Sequence, residues 1–400
     1  MLTSLAFIFL AGLAAAALSR RLGLPTIIGM LLIGVALGPR ALNLLDPSIL
    51  GVSADLRQMA LIIILLKAGL SLDLADLKKV GRSAVLMAFL PASCEILAFF
   101  LLAPALLGVT RIEALVMGAV LGAVSPAVVV PRMVRLMETG YGVDKSIPQL
   151  IMAGASCDDV YVIVLFSTFV GMAQGQGANL AGLAGVPVSI ALGVALGALT
   201  GWGLGRWFGR ARARGRGVRG SVKVIILLGI SFLLVAIESW LQGRVPLSGL
   251  LAVISMACAL RMTSDPPVSA RLSEKFGKLW LAAEVVLFVL VGAAVDVRYT
   301  LSAGLAALAM ILAALVFRAA GVWLCLLGSP LCAKERLFCV IAYLPKATVQ
   351  AAIGAVPLSL GLPCGQVVLA VSVLGILITA PLGAAGIDLA APRLLTRREP

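Results

Sequence analysis

The amino-acid sequence predicts an all-α polytopic membrane protein of about thirteen transmembrane helices. Two properties of the chain point there first. Of its 400 residues, 61% are hydrophobic and 12% charged, with a mean hydropathy of +1.11. A soluble domain is roughly half apolar and about a quarter charged. Apolar runs near the ~20 residues that cross a bilayer then follow one another along the whole chain. No interval between them is long enough to hold a soluble domain. The third observation is the placing of the bases. Alternate connections hold 24 of the 32 lysines and arginines, and the other set holds five. The positive-inside rule puts the richer set in the cytoplasm, with the N-terminus outside and the C-terminus inside.

The runs are read in order. The first, Leu2–Leu18, lacks the positively charged start of a signal peptide, and Leu24 restarts the apolar pattern soon after Arg20 and Arg21. It is read as a retained helix. The next three cover 24–39, 56–75 with Lys67, and 82–107 with Glu95. The fifth, 112–131, contains GAVLGAVSPAVVVPRM, with Pro126 at mid-membrane. The sixth, 148–172, contains GASCDDVYVIV, where Asp158 and Asp159 are the only charges between Ser146 and Ala173. The seventh, 181–205, runs into the basic stretch RWFGRARARGRGVRGSVK at 206–223. Then come 221–240, 246–260, 279–297 with Glu284, and 301–327 with Arg318. The twelfth, 337–356, contains VIAYLPKATVQAAIGAVP, with Pro345 beside Lys346, and the thirteenth is 365–386.

Several function classes drop out. The net charge of +14 is spread over alternate loops, so nucleic acid is not an expected partner, and the basic stretch reads as a cytoplasmic loop facing anionic lipid. There is no histidine, the seven cysteines form no C-x-x-C pair, and neither G-x-S-x-G nor H-E-x-x-H occurs. No enzyme, cofactor or zinc site is expected.

The buried charges carry the functional argument. A charge at the centre of a lipid-facing helix costs about 2.5–3.5 kcal/mol. Seven of them (Lys67, Glu95, Asp158, Asp159, Glu284, Arg318 and Lys346) would cost roughly 20 kcal/mol, more than the stability of a typical protein. They are expected to face a protein interior or a wet cavity and to pair with one another. Four acids against three bases leave one carboxylate over, which suits a cation or proton site.

The prolines supply the second part. Pro126 and Pro345 each remove a helix hydrogen bond at membrane depth. Freed backbone groups are tolerated there only inside protein or at a water-lined cavity. The two breaks fall at corresponding places if the chain is divided into inverted repeats at 1–172 and 221–400, joined by 173–220. Such paired interruptions point to a transporter's binding site. The same division matches Glu95 with Arg318, which predicts a buried salt bridge. Asp158 and Asp159 point to adjacent faces of one helix and can line one cavity. Competition between a proton and a small cation for one carboxylate is a complete coupling mechanism. Carbonyls near Val124 and the hydroxyls of Ser125 and Ser156 are candidates to complete an oxygen cage. Lys346 is a candidate to neutralise the helix ends at the second break.

GAVSPAVVVPRM, GYGVDKSIPQLIMAGASCDDV and AYLPKATVQAAIG together resemble the cation–proton antiporter superfamily, and within its second family the NHA-type sodium/proton exchangers. LGLPTIIGMLLIGVALGP (22–39) and LRQMALIIILLKAGLSLD (56–73) look like its second and third helices. The resemblance implies a homodimer in a bacterial-type inner membrane, with a dimer domain, a mobile core domain and elevator-type exchange of Na+ or Li+ for H+ that serves pH homeostasis. It implies two crossed broken helices at Pro126 and Pro345. The family's aspartate pair falls on Asp158 and Asp159, with Asp159 the main carrier, and its basic residue on Arg318, paired to Glu95. Thr348 and Lys346 stand where other branches have the glutamate and arginine of a P-R-G-E motif, and Ser125 where many have the aspartate of T-D-P. Gln350 follows in the same helix as a supporting residue. These departures leave the proton count open. A potassium/proton antiporter of the same fold is the alternative, followed by a sodium-coupled solute symporter, which should lack the paired aspartates.

Overall fold

A computed structural model describes residues 1–71, 81–174, 180–215, 217–241, 245, 247–296 and 304–397. Of the lysines and arginines counted above, Lys78, Lys79, Arg216, Arg244, Arg298 and Arg398 lie outside the described residues. The described residues are mostly helical. In order the helices are α1 Leu2–Arg21, α2 Thr26–Leu37, α3 Pro47–Gly51, α4 Ser53–Ser71, α5 Arg82–Met87, α6 Leu90–Leu107, α7 Arg111–Leu121, α8 Pro126–Thr139 and α9 Ile147–Ala173. They continue with α10 Leu180–Ala213, α11 Gly220–Leu241, α12 Gly249–Thr263, α13 Pro266–Ala294, α14 Gly304–Cys325, α15 Ala333–Ala342, α16 Thr348–Gly354, α17 Val356–Ser359 and α18 Gly365–Leu394. Among the described residues there is no strand, only an isolated antiparallel bridge between Tyr141 and Arg397. Eight helical stretches among them are long and apolar enough to cross a membrane, and three apolar helices are shorter.

Among the described residues a helix lies in each predicted run, but the ends differ for physical reasons. The fifth run is expected to stop at residue 131, and α8 continues to Thr139. Arg132 and Arg135 end the apolar pattern without ending the helix, because a helix can leave the bilayer and continue in water. Gly140, with φ of +80°, then closes it in the left-handed conformation. The fourth run is split into α5 and α6 ahead of Pro91. Proline has no N–H for the carbonyl four residues back, here that of Met87. The next helix, α7, opens on a reciprocal capping box, Thr110 with Glu113.

The chain forms two compact units, each built from separated stretches. One comprises Met1–Ala54, Asp73–Phe169 and Leu287–Pro400, and the other Asp55–Leu72 and Val170–Val286. In the second unit, Gly193, Gly197 and Gly201 of α10 lie directly over backbone carbonyls of α12 and its N-cap, Ser248. In the first, Gly34 of α2 lies over the Val289 carbonyl and Gly292 of α13 over that of Leu31. A Cβ at any of these positions would meet backbone. Near the start of α15, Glu335 accepts from Lys145 Nζ at 2.8 Å and from the Cys332 N–H at 2.7 Å. Burial pushes the Glu335 carboxyl up, but these partners outweigh it and hold it below its ordinary range.

Candidate functional site

The site lies within the first unit and is built from two interrupted helices. Residues 122–125 are unwound between α7 and α8, and residues 343–347 between α15 and α16. Pro126 offers no N–H to the Gly122 carbonyl, which instead accepts from Arg318 Nη1. The breaks bind one another in both directions. The Ser125 N–H donates to the Pro345 carbonyl at 2.8 Å. Gln350 Nε2 donates to the Ala123 carbonyl at 2.8 Å and, less closely, to that of Leu121 at 3.4 Å. From α18, Thr379 Oγ1 accepts the Lys346 N–H at 2.9 Å.

Five of the seven deep charges gather here, all of them buried: Glu95, Asp158, Asp159, Arg318 and Lys346. Arg318 comes from α14 and is the hub. Its Nη1 lies 2.9 Å from Glu95 Oε2 and its Nη2 2.8 Å from Asp158 Oδ2. Its Nε donates to the Tyr343 carbonyl at 2.6 Å, and the guanidinium sits over the Tyr343 ring at 5.3 Å. The bidentate fork of arginine suits two carboxylates on different helices. Lys346 Nζ also reaches Glu95 Oε2, at 2.8 Å. The predicted Glu95–Arg318 pair is therefore present, with Asp158 on the same guanidinium. Val124 presents its N–H, rather than its carbonyl, to Asp158 Oδ2 at 2.9 Å. The remaining two deep charges, Lys67 and Glu284, belong to the second unit.

Three carboxylates thus face two bases. Asp159 makes no ion pair among the described residues. Asp158 Oδ1, Asp159 Oδ1, Ser125 Oγ, Thr348 Oγ1 and Gln350 Oε1 are buried without a hydrogen-bond partner. Each such group costs about 1–3 kcal/mol. Carboxylate and hydroxyl oxygens are the ligands hard cations prefer. Ser156 lies on α9, but its side chain is outside the described residues.

Reading along the chain missed Tyr343. Its hydroxyl donates to the Met87 carbonyl at 3.2 Å, the carbonyl that Pro91 leaves without a helical donor. The same hydroxyl occupies the space beside Gly154, where a Cβ would stand, one turn before Asp158. Pro91 was the available signal, because it frees a carbonyl at membrane depth.

Residues 5–388 match the family described as "Sodium/hydrogen exchanger, transmembrane". The chain belongs to the sodium/hydrogen exchanger family. It is a multi-pass membrane protein of a transporter family whose class of activity is cation/proton antiport. It is 36% identical over 398 residues to the human sodium/hydrogen exchanger 9B2, covering 94% of this chain and 71% of that protein. To the human sodium/hydrogen exchanger 9B1 it is 32% identical over 358 residues, covering 86% and 67%. Its fold matches the sodium proton antiporter MjNhaP1 of Methanocaldococcus jannaschii with a TM-score of 0.82, at 21% identity, over 98% of this chain and 99% of that one. The exchanger family thus accounts for the helical membrane architecture expected from composition.

Proposed function

We propose that the protein exchanges Na+, or Li+, for H+ by competition at the aspartate pair, with Asp159 as the main carrier. One observation carries this reading: the two neighbouring carboxylates are held differently. Asp158 is engaged by Arg318 and by the Val124 N–H, whereas Asp159 makes no ion pair among the described residues and its Oδ1 has no hydrogen-bond partner. A carboxylate locked to an arginine is poorly placed to exchange its partner. An unpaired one beside buried side-chain oxygens can bind a proton or a small cation in turn. The activity for which the relatives are named, sodium/hydrogen exchange, agrees with that chemistry. Glu95, Arg318 and Lys346 then serve as a fixed frame, and Pro126 and Pro345 open the backbone for it. Alternating access by an elevator motion, inverted repeats at 1–172 and 221–400, and a homodimer complete the proposal. The interrupted helices at corresponding positions support the repeats.

Proteoliposomes with an internal pH dye test the reading. External Na+ or Li+ should change the lumenal pH with wild-type protein, and Asp159→Asn should be silent while remaining folded. A fully active Asp159→Asn would remove Asp159 as carrier. A response to K+ alone would keep the mechanism and replace the substrate. Repeating the assay at a clamped potential gives the charge moved per cycle.

A further inference from the structure

Gln350 does more than fill the space between the two breaks. We infer that Gln350 is a positioning residue that sets ion-size selectivity, by keeping the backbone carbonyls of the first break out of the ion cage. The inference rests on the reading of Asp158 and Asp159 as the ion site.

Gln350 is the third residue of α16 and is fully buried. Unwinding of residues 122–125 leaves the carbonyls of Leu121, Gly122 and Ala123 without helical donors. Arg318 takes that of Gly122. Gln350 Nε2 takes that of Ala123 at 2.8 Å and leans on that of Leu121 at 3.4 Å. No other side-chain donor reaches them among the described residues. Ala123 directly precedes Val124, whose N–H holds Asp158, so these carbonyls border the aspartate pair. Around the breaks, the buried side-chain oxygens left without donors are those of Asp158, Asp159, Ser125, Thr348 and Gln350 itself. Carboxylates concentrate charge and favour small, hard cations. Backbone carbonyls are weaker dipoles, and rings of them replace the hydration shell of K+ in channels. A donor that ties down two carbonyls beside the carboxylates therefore biases the cage against the larger ion. The carboxamide suits this task because it donates without adding charge to a cluster that already holds two bases.

The test is reconstituted exchange with Li+, Na+ and K+, measuring KM and maximal rate for each. Gln350→Met keeps the length and the packing but cannot donate. It should lower the ratio of KM for K+ to KM for Na+ by about tenfold or more. Gln350→Glu has the same shape. Protonated, it keeps one donor and should select like wild type at acid pH. Ionised, it has none, and its selectivity at alkaline pH should depart from that of wild type. A role in packing alone would not make selectivity depend on pH. Unchanged ratios in both variants, an equal change for every ion, or loss of folded protein in both would overturn the inference. A wild type that moves no protons with any cation would instead sink the exchange reading, and this inference with it.

Discussion

At the scale of single residues, Arg318 bears the greatest consequence for stability. It donates to two carboxylates and two carbonyls, all buried, from one planar group. Removing it leaves Asp158 with only the Val124 N–H and Glu95 with only Lys346, both in a low-dielectric interior. Loss of one partner of a buried pair costs about 3–5 kcal/mol. Arg318→Met should therefore accumulate poorly and unfold at lower temperature in detergent. Arg318→Lys keeps the charge but loses the fork, because an ammonium is a point donor and cannot span both carboxylates. Its midpoint should fall between those of wild type and Arg318→Met. A lysine variant as stable as wild type would show that charge alone, and not geometry, holds the cluster.

At the scale of elements, the pairing of α10 with α12 depends on a repeat of small residues. Gly193, Gly197, Gly201 and Gly205 recur every four residues and so share one helix face. Small residues at that spacing let membrane helices approach until backbones touch. The carbonyls of Ser248, Ala252 and Met256 lie under the first three, and the Thr263 side chain under the fourth. Gly197→Val should cost about 1–3 kcal/mol by overpacking, since the atom it meets is backbone and cannot turn aside. Gly203 stands on the same helix, and a Cβ placed on it would have nothing within 4 Å. Gly203→Val is the control and should unfold with wild-type protein. Equal melting of both variants would remove the close approach as the cause.

At the scale of the whole molecule, the distribution of bases decides orientation. Twenty-four of the 32 lysines and arginines lie on one set of connections, which predicts an outside N-terminus and a cytoplasmic C-terminus. A reporter that fluoresces only in the cytoplasm should be bright when fused after Pro400 and dark when fused before Met1. The reverse pattern would invert the side from which each ion enters. The two compact units are interleaved along the chain and coincide with neither half of the sequence. A repeat is a relation of symmetry, whereas compactness follows from which helices pack together.

The sequence by itself determined the membrane class, the places of the helices, the two breaks and the acid pair. Each is a local property: hydropathy over some twenty residues, or the missing N–H of Pro126 and Pro345. The pairing was legible only in part. Four acids and three bases at depth implied mutual neutralisation, and the matched positions of Glu95 and Arg318 implied one bridge. Only the tertiary structure decided that Asp158 shares the same guanidinium, that Lys346 also turns to Glu95, and that Asp159 makes no ion pair among the described residues. The paired residues stand 223, 160 and 251 positions apart. Whether they meet depends on how each helix is rotated and how deep it sits, which packing sets. The same holds for Tyr343 over Gly154 and for Gln350 across the first break. The chain writes down which groups cannot face lipid, and the fold decides which of them satisfy one another.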